Sequence, residues 1–360
     1  MGASVIFAAA GTTNKTEKGM KKYGTGYWNR FGTANIVIAV NGKGVVLNEP
    51  SVIAVNKRTN KIVAIGKKAY RMVGKAPEYI SVIRPLSCGV ISDDEMTQCL
   101  IREFVHKASG HRLVKPRIVI CVPSFITDVE SRAVVEAAMN AGSRKVYLIQ
   151  EPIAAMLGAG VNMSKARGHL VVDIGGGTTD VAVVSMNGVV TSRSIKTAGT
   201  MLDQAIVRYV QKRHKLLIGD RTAEQIKKEL TNLYDPSDDV RMNIGGRNLL
   251  KGLPEMINIS ELEVFDAIED EVFEIVDAIR NLLEDTPPEL VGDIYENGIL
   301  LTGGGANLGG IDKLINRTLG VKCNIAKDPM GCVARGTIQA FKRLDSLLDG
   351  FENVALYQYK

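Results

Sequence analysis

The run Val171–Val184, VVDIGGGTTDVAVV, constrains this chain more than any other segment. The apolar residues on either side favour extended strands, and three consecutive glycines between them stop both strand and helix. The run therefore predicts a strand–turn–strand unit with Asp173 at the end of the first strand. Successive backbone N–H groups of such a turn form a concave nest for phosphate oxygens. The Thr178 and Thr179 hydroxyls lie beside it, and a carboxylate placed like Asp173 can hold Mg²⁺ through the ion's waters. One glycine turn alone is equally a ligand-free hairpin. Two more change the weighing: Gly32-Thr33-Ala34-Asn35, and Leu301-Thr302-Gly303-Gly304-Gly305-Ala306, the latter expected to open a helix whose N-terminus favours anions. No G-x-x-x-x-G-K-[ST] and no early G-x-G-x-x-G occurs, which sets aside P-loop and dinucleotide sites.

Periodicity organises the rest. Strands are expected over 36–40, 44–47, 51–56, 61–65, 117–122 and 145–149, with helices over 93–109, 128–141 and from Glu151. The order then restarts: strands over 169–173, 181–186 and 188–194, helices over 202–212 and 222–230, a long helix over 261–283, a strand over 298–302 and a helix near 310–319. Thr222-x-x-Gln225 has the spacing of a capping box. A block repeated at this length predicts an α/β protein of two similar domains facing a cleft. The expected division is an uncertain N-terminal tail over 1–25, a first domain over 26–155, a second over 156–345 and a C-terminal tail over 346–360.

Composition narrows the function classes. The chain has 360 residues, 45% of them hydrophobic, enough for two cores. A net charge of +6 and 5% aromatic residues argue against nucleic acid, which wants stronger basic patches or stacking platforms. Five scattered cysteines without C-x-x-C spacing predict neither disulfides nor zinc, so the cytosol is the simplest compartment. No apolar run is long enough to span a bilayer. Glu151, between a strand and Pro152, is either a helix cap or a carboxylate facing the cleft that orients water toward a γ-phosphate.

Taken in order, the first glycine turn, Gln150-Glu151-Pro152, the second turn and Gly303-Gly304-Gly305 resemble the actin, heat-shock chaperone and sugar-kinase ATPase superfamily. Within it the chain resembles the MreB/Mbl family of bacterial actins, in the segments Gly32–Val55, Arg117–Gly160, Val171–Val190, Gly219–Leu230, Thr286–Leu290 and Leu301–Leu308. The resemblance implies a two-domain actin-like ATPase fold, with duplicated ribonuclease-H-like domains around a nucleotide cleft. It implies that Gly32, Thr33, Ala34 and Asn35 form the first phosphate turn, and that Gly175, Gly176, Gly177, Thr178 and Thr179 form the second. Asp173 would serve Mg²⁺, Glu151 and Thr178 the attacking water, Glu224, Gln225, Ile226 and Lys227 the adenosine, and Gly303, Gly304, Gly305, Ala306 and Asn307 its closure. The implied function is a slow ATPase that polymerises with itself into filaments at the inner membrane face, engages membrane proteins of cell-wall synthesis and sets rod shape. A sugar kinase would need a further catalytic Asp and a sugar cleft, and a chaperone a long C-terminal part; neither is evident in the sequence.

Three positions depart from the family pattern. Where a strand close to Gly-Ile-Asp-Leu is expected before Gly32, the chain has Gly26-Tyr27-Trp28-Asn29-Arg30-Phe31, with Arg30 in place of the carboxylate. Codons exist for Gly26–Gly32 that, read one base later, spell Gly-Ile-Gly-Ile-Asp-Leu, so a one-base frameshift upstream of Gly32 would restore that strand. Thr200 stands where the family has Asp, and Asp180 where it commonly has Glu. These departures support an alternative, a nucleotide-binding scaffold with impaired hydrolysis. In the loop 109–115, Leu113 and Val114 between Arg112 and Lys115 suit shallow insertion into anionic lipid, against the plain alternative of a solvated loop.

Overall fold

The computed structural model describes residues 6–9, 35–40, 44–87, 90–91, 94–109, 117–122, 124, 127–140, 142–342 and 356–358. Two sheets carry the fold. The first has six strands in the spatial order Leu356–Gln358, Lys145–Gln150, Arg117–Val122, Ile6–Ala9, Asn35–Val40, Gly44–Pro50. The second has five, in the order Gly188–Ile195, Thr179–Ser185, His169–Ile174, Ile299–Thr302, Cys323–Ile325. Each expected strand is present, with ends that shift by up to three residues from the pattern.

Strand alternation divides the interior into layers. On Arg117–Val122, the side chains of Ile118, Ile120 and Val122 face Leu100, Phe104, Val134 and Ala138 of the helices Asp94–Ser109 and Asp128–Asn140. Val119 and Cys121 face the other way. There they meet Ile153–Met156, Val333 and Ala334, together with Val171, Ala182 and Val184 of the second sheet. The helices Glu151–Ala159 and Cys332–Lys342 thus pack in a layer shared by both sheets. The far face of the second sheet, Leu170, Val172 and Ile174, packs on the helices Gly199–His214, Glu261–Glu284 and Ile311–Leu319.

A small lobe sits on each half. The first is the sheet Lys61–Ile65, Ile53–Asn56, Ile80–Ile83 with the short helix Lys67–Tyr70. The second is the sheet Leu216–Leu217, Arg241–Asn248, Pro254–Ser260 with the helix Asp220–Leu230.

Four local expectations change. Part of the segment read as an N-terminal tail, Ile6–Ala9, is an inner strand of the first sheet, parallel to Asn35–Val40 and antiparallel to Arg117–Val122. Part of the C-terminal segment, Leu356–Gln358, pairs antiparallel with the edge strand Lys145–Gln150. Thr222 is not a cap: the helix already starts at Asp220 behind Gly219, with no side-chain cap bond. The reciprocal box instead opens the long helix, where Ser260 Oγ accepts from Glu263 N–H at 3.3 Å and Ser260 N–H donates to Glu263 Oε2 at 3.1 Å. Finally, the third glycine turn opens a single 3₁₀ turn, Gly305–Asn307, and the α-helix begins only at Ile311. Among the described residues no helix is long and apolar enough to cross a membrane.

The two shared helices touch backbone to backbone. A Cβ on Gly336 would overlap the carbonyl oxygen of Ala154, and one on Gly158 that of Cys332. In an open helix Gly→Ala gains about 1 kcal/mol. At this crossing the sign reverses: Gly336→Ala and Gly158→Ala each cost about 1–3 kcal/mol of stability, measured by urea denaturation. A gain in either variant would contradict the packing.

Candidate functional site: a cleft of buried carboxylates and glycine turns

The strand His169–Ile174 is the spine of the site. It pairs antiparallel with Thr179–Ser185, which sets Asp173 opposite Asp180, and parallel with Ile299–Thr302, which sets Asp173 beside Thr302. The hairpin between them closes with Gly175 N–H donating to Thr178 O at 2.9 Å. Thr302 Oγ1 donates to Asp173 Oδ1 at 2.9 Å. Burial pushes the Asp173 carboxyl up to about 7; the Thr302 bond pulls against that, and the neighbouring Asp180 adds to it. Asp180 is also shifted upward by burial, with Ser194, Ser124 and Thr178 opposing. Two acids this close cannot both ionise cheaply without a cation.

The third glycine turn lies on the end of the same strand. Gly303 has φ +81, and a Cβ there would strike the Ile174 carbonyl and Asp173 Oδ1. A Cβ on Gly305 would strike the Ile174 side chain. The second and third turns therefore pack side by side at one end of this strand rather than on opposite exteriors.

Two further walls converge on it. Gly199 N–H donates to Gly175 O at 3.2 Å and Thr200 N–H to Gly176 O at 2.7 Å, which seats the helix Gly199–His214 on the second turn. Lys227 Nζ donates to Gly199 O at 2.6 Å and pairs with Asp203 Oδ1 at 2.7 Å. From the first half comes Glu151, buried at the first position of its helix behind the cap Gln150. The thiol of Cys121 is held well above its usual range by burial first, then by the charges of Glu151, Asp173 and Asp180. The Cys121 thiol thus feels the charge of all three carboxylates.

The anticipated residues thus divide. Asp173, Gly175–Thr178 and Gly303 share one strand end, Lys227 reaches it through Gly199 O, Glu224 lines a hollow with Thr200 and Asp203, and Glu151 is buried at the start of its helix. Thr179 turns its hydroxyl into the fold, donating to Thr197 O at 2.7 Å. Ile226 and Ala306 are wholly in the core, while Gln225, Gly304 and Asn307 are exposed. Gly32, Thr33 and Ala34 lie outside the described residues, as do Leu113 and Val114; Asn35 opens its strand. Sequence reasoning missed Asp203 and Tyr70. Asp203 had a signal: an acid in the helix stripe of Leu202, Ile206 and Val210. Tyr70 had none, because its partner Glu224 is 154 positions away.

The residues fit a magnesium–nucleotide ligand better than a bare metal. No cluster of three His, Cys, Asp or Glu side chains suited to a metal occurs among the described residues. Asp173 beside Asp180, both buried, offers negative charge to an ion that takes most of its ligands from phosphate and water.

Two sheets of related plan, paired small lobes and glycine turns packed on one strand end beside buried acids define an actin-like protein. The solved MreB5 of Spiroplasma citri bound to AMPPNP superposes with a TM-score of 0.84 at 36% identity, over 96% of this chain and 98% of that one. The MamK double helical filament, at 19% identity and a TM-score of 0.74, shares the fold. A family model described as MreB/Mbl protein matches residues 30–349, and the chain belongs to that family. It is 46% identical over 318 residues to the cell shape-determining protein Mbl of Bacillus subtilis (strain 168), covering 88% of this chain and 96% of Mbl. It is 44% identical over 322 residues to the cell shape-determining protein MreB of Escherichia coli (strain K12), covering 88% and 92%.

The Asp203–Lys227 pair yields a test with a definite sign. Burial raises Asp203 from its ordinary 3.8 to about 6, against the pull of Lys227. Protonated Asp203 favours the fold below about pH 4, and that margin is lost as pH rises through 6. Lys227→Met leaves a buried carboxylate without its cation, at a cost of about 3–5 kcal/mol at pH 8. At pH 5 the carboxyl takes a proton and the loss shrinks. Thermal melts at both pH values check this; equal losses would contradict it.

Proposed function

We propose that this chain binds ATP with Mg²⁺ in the cleft, polymerises with copies of itself and hydrolyses the nucleotide slowly. Its filaments lie at the inner membrane face in the cytoplasm, engage membrane proteins of cell-wall synthesis and maintain rod shape. The observation that carries the reading is the alignment of Asp173 with Asp180 and Thr302, because it sets the second and third glycine turns on one strand end beside two buried acids. The names of the relatives, cell shape-determining proteins, and the AMPPNP and ADP bound to MreB5 of Spiroplasma citri support it.

In this reading the turn Gly175–Thr178, whose Gly175 N–H is held by Thr178 O, borders the terminal phosphates, and Asp173 would hold Mg²⁺ through its waters. Bound there, the ion would supply positive charge against the charge that develops on the transferring phosphoryl group. Glu151 accepts a hydrogen bond from the attacking water, and the Thr178 hydroxyl helps aim it. The wall of Glu224 and Lys227 and the turn Gly303–Asn307 flank the adenosine. The γ-phosphate closes the halves and favours subunit addition, and its loss weakens the polymer.

The alternative of a scaffold with impaired hydrolysis is favoured by one observation. Ile6–Ala9 runs parallel to Asn35–Val40, so no tight antiparallel hairpin joins those two strands through the first turn. Pelleting combined with phosphate release separates the readings. Glu151→Gln is expected to keep ATP-dependent pelleting and to slow phosphate release by about 10²-fold or more. Wild-type polymers that release no phosphate would favour the scaffold; no ATP-dependent polymer at all would overturn both.

The membrane contact has its own test. Leu113→Ser/Val114→Ser should lose flotation with vesicles containing anionic lipid while still pelleting with ATP. Unchanged flotation would remove Leu113 and Val114 from the contact.

A further inference from the structure

The two small lobes are joined by a buried hydrogen bond. Tyr70 ends the helix Lys67–Tyr70, and its hydroxyl donates to Glu224 Oε2 at 2.9 Å across the cleft. Each partner is fixed in its own lobe. The Tyr70 ring packs with Val52, Ala54 and Ala69 beneath the first small sheet. Glu224 Oε1 accepts from Lys228 Nζ at 2.6 Å, one helical turn away. The Arg221 guanidinium stands 5.9 Å from the centre of the Tyr70 ring, a cation–π contact between the same two lobes. Beside this contact opens a hollow lined by Tyr70, Arg84, Thr200, Asp203, Arg221 and Glu224.

The chemistry makes the bond one-way. Burial and the charge of Glu224 push the Tyr70 phenol upward, so it keeps its proton and remains the donor across the physiological range. Its acceptor is a carboxylate, and charge-assisted bonds are stronger than neutral ones. Glu224 also lies on the wall proposed for adenosine, one turn from Lys227, which reaches the second glycine turn through Gly199 O. A displacement of Glu224 toward or away from a nucleoside is therefore felt directly at Tyr70.

We infer that Tyr70 is a positioning residue that gates the cleft: its bond to Glu224 holds the small lobes together above the nucleotide and sets the rate at which the nucleotide leaves. This rests on the proposed ATP site. Because Tyr70 belongs to the first half and Glu224 to the second, the lobes cannot part without breaking this bond, and a bound nucleotide must pass between them to escape.

The test uses the full-length chain and Tyr70→Phe, which keeps the ring, its packing and its contact with Arg221 while deleting the donor. Release of a fluorescent N-methylanthraniloyl ATP, chased with excess ATP, should be about tenfold faster in the variant, the scale of one lost bond to a charged acceptor. Amide hydrogen exchange without nucleotide should quicken in Lys67–Tyr70 and Asp220–Leu230 but not in Glu261–Glu284. No uptake of the probe by wild type overturns the nucleotide site itself. Uptake with equal release rates in both proteins overturns the gate alone, and quickened exchange with unchanged release reduces the bond to a structural tie and overturns it too.

Discussion

Asp173 sits where three strands agree. The antiparallel pairing with Thr179–Ser185 and the parallel pairing with Ile299–Thr302 meet at its backbone, and its side chain is tied to Thr302 at that junction. A parallel neighbour and a hairpin neighbour on opposite edges of one strand bring turns from distant parts of the chain to the same end of the sheet. Glycine is required there for a steric reason: side chains at 303 and 305 would collide with Ile174. The glycine motif is thus first a condition for packing two turns on one strand end.

That double role explains what the sequence could and could not disclose. The strand His169–Ile174 and its turn were legible because Asp173, three glycines and two threonines in one run satisfy a strand end, a tight turn and an anion nest together. The long helix Glu261–Glu284 was legible from its apolar spacing and the prolines beyond it. The true capping box at Ser260 was overlooked, and Thr222-x-x-Gln225 was taken for one, because the motif says nothing of where the helix starts. Asp203 and Tyr70 were missed for another reason. Each matters through a partner far along the chain, and pairing of that kind has no local signature.

The first sheet shows how far a sheet position constrains its occupant. In the second sheet two antiparallel pairings are followed by two parallel ones. Apart from its sixth strand, Leu356–Gln358, the first sheet would repeat that plan if Ile6–Ala9 ran the other way. An inner position demands hydrogen bonds on both edges, which a short apolar strand of either direction supplies. The chain just before Gly32, with Asn29 and Arg30, lacks the apolar alternation of a strand, and the inner strand between Asn35–Val40 and Arg117–Val122 is Ile6–Ala9.

The charges around the cleft carry the same logic into dynamics. Asp173, Asp180 and Asp203 are all raised by burial, and each is opposed by a different neighbour: Thr302, Ser194 or Lys227. Protein donors and Lys227 temper these shifts without cancelling them, so each carboxyl stays above its ordinary range. Glu224 differs, being already engaged by Lys228 and by Tyr70 of the opposite lobe. Because Lys227 touches both Asp203 and Gly199 O, the helix that meets Tyr70 through Glu224 also reaches the second glycine turn, one turn further along.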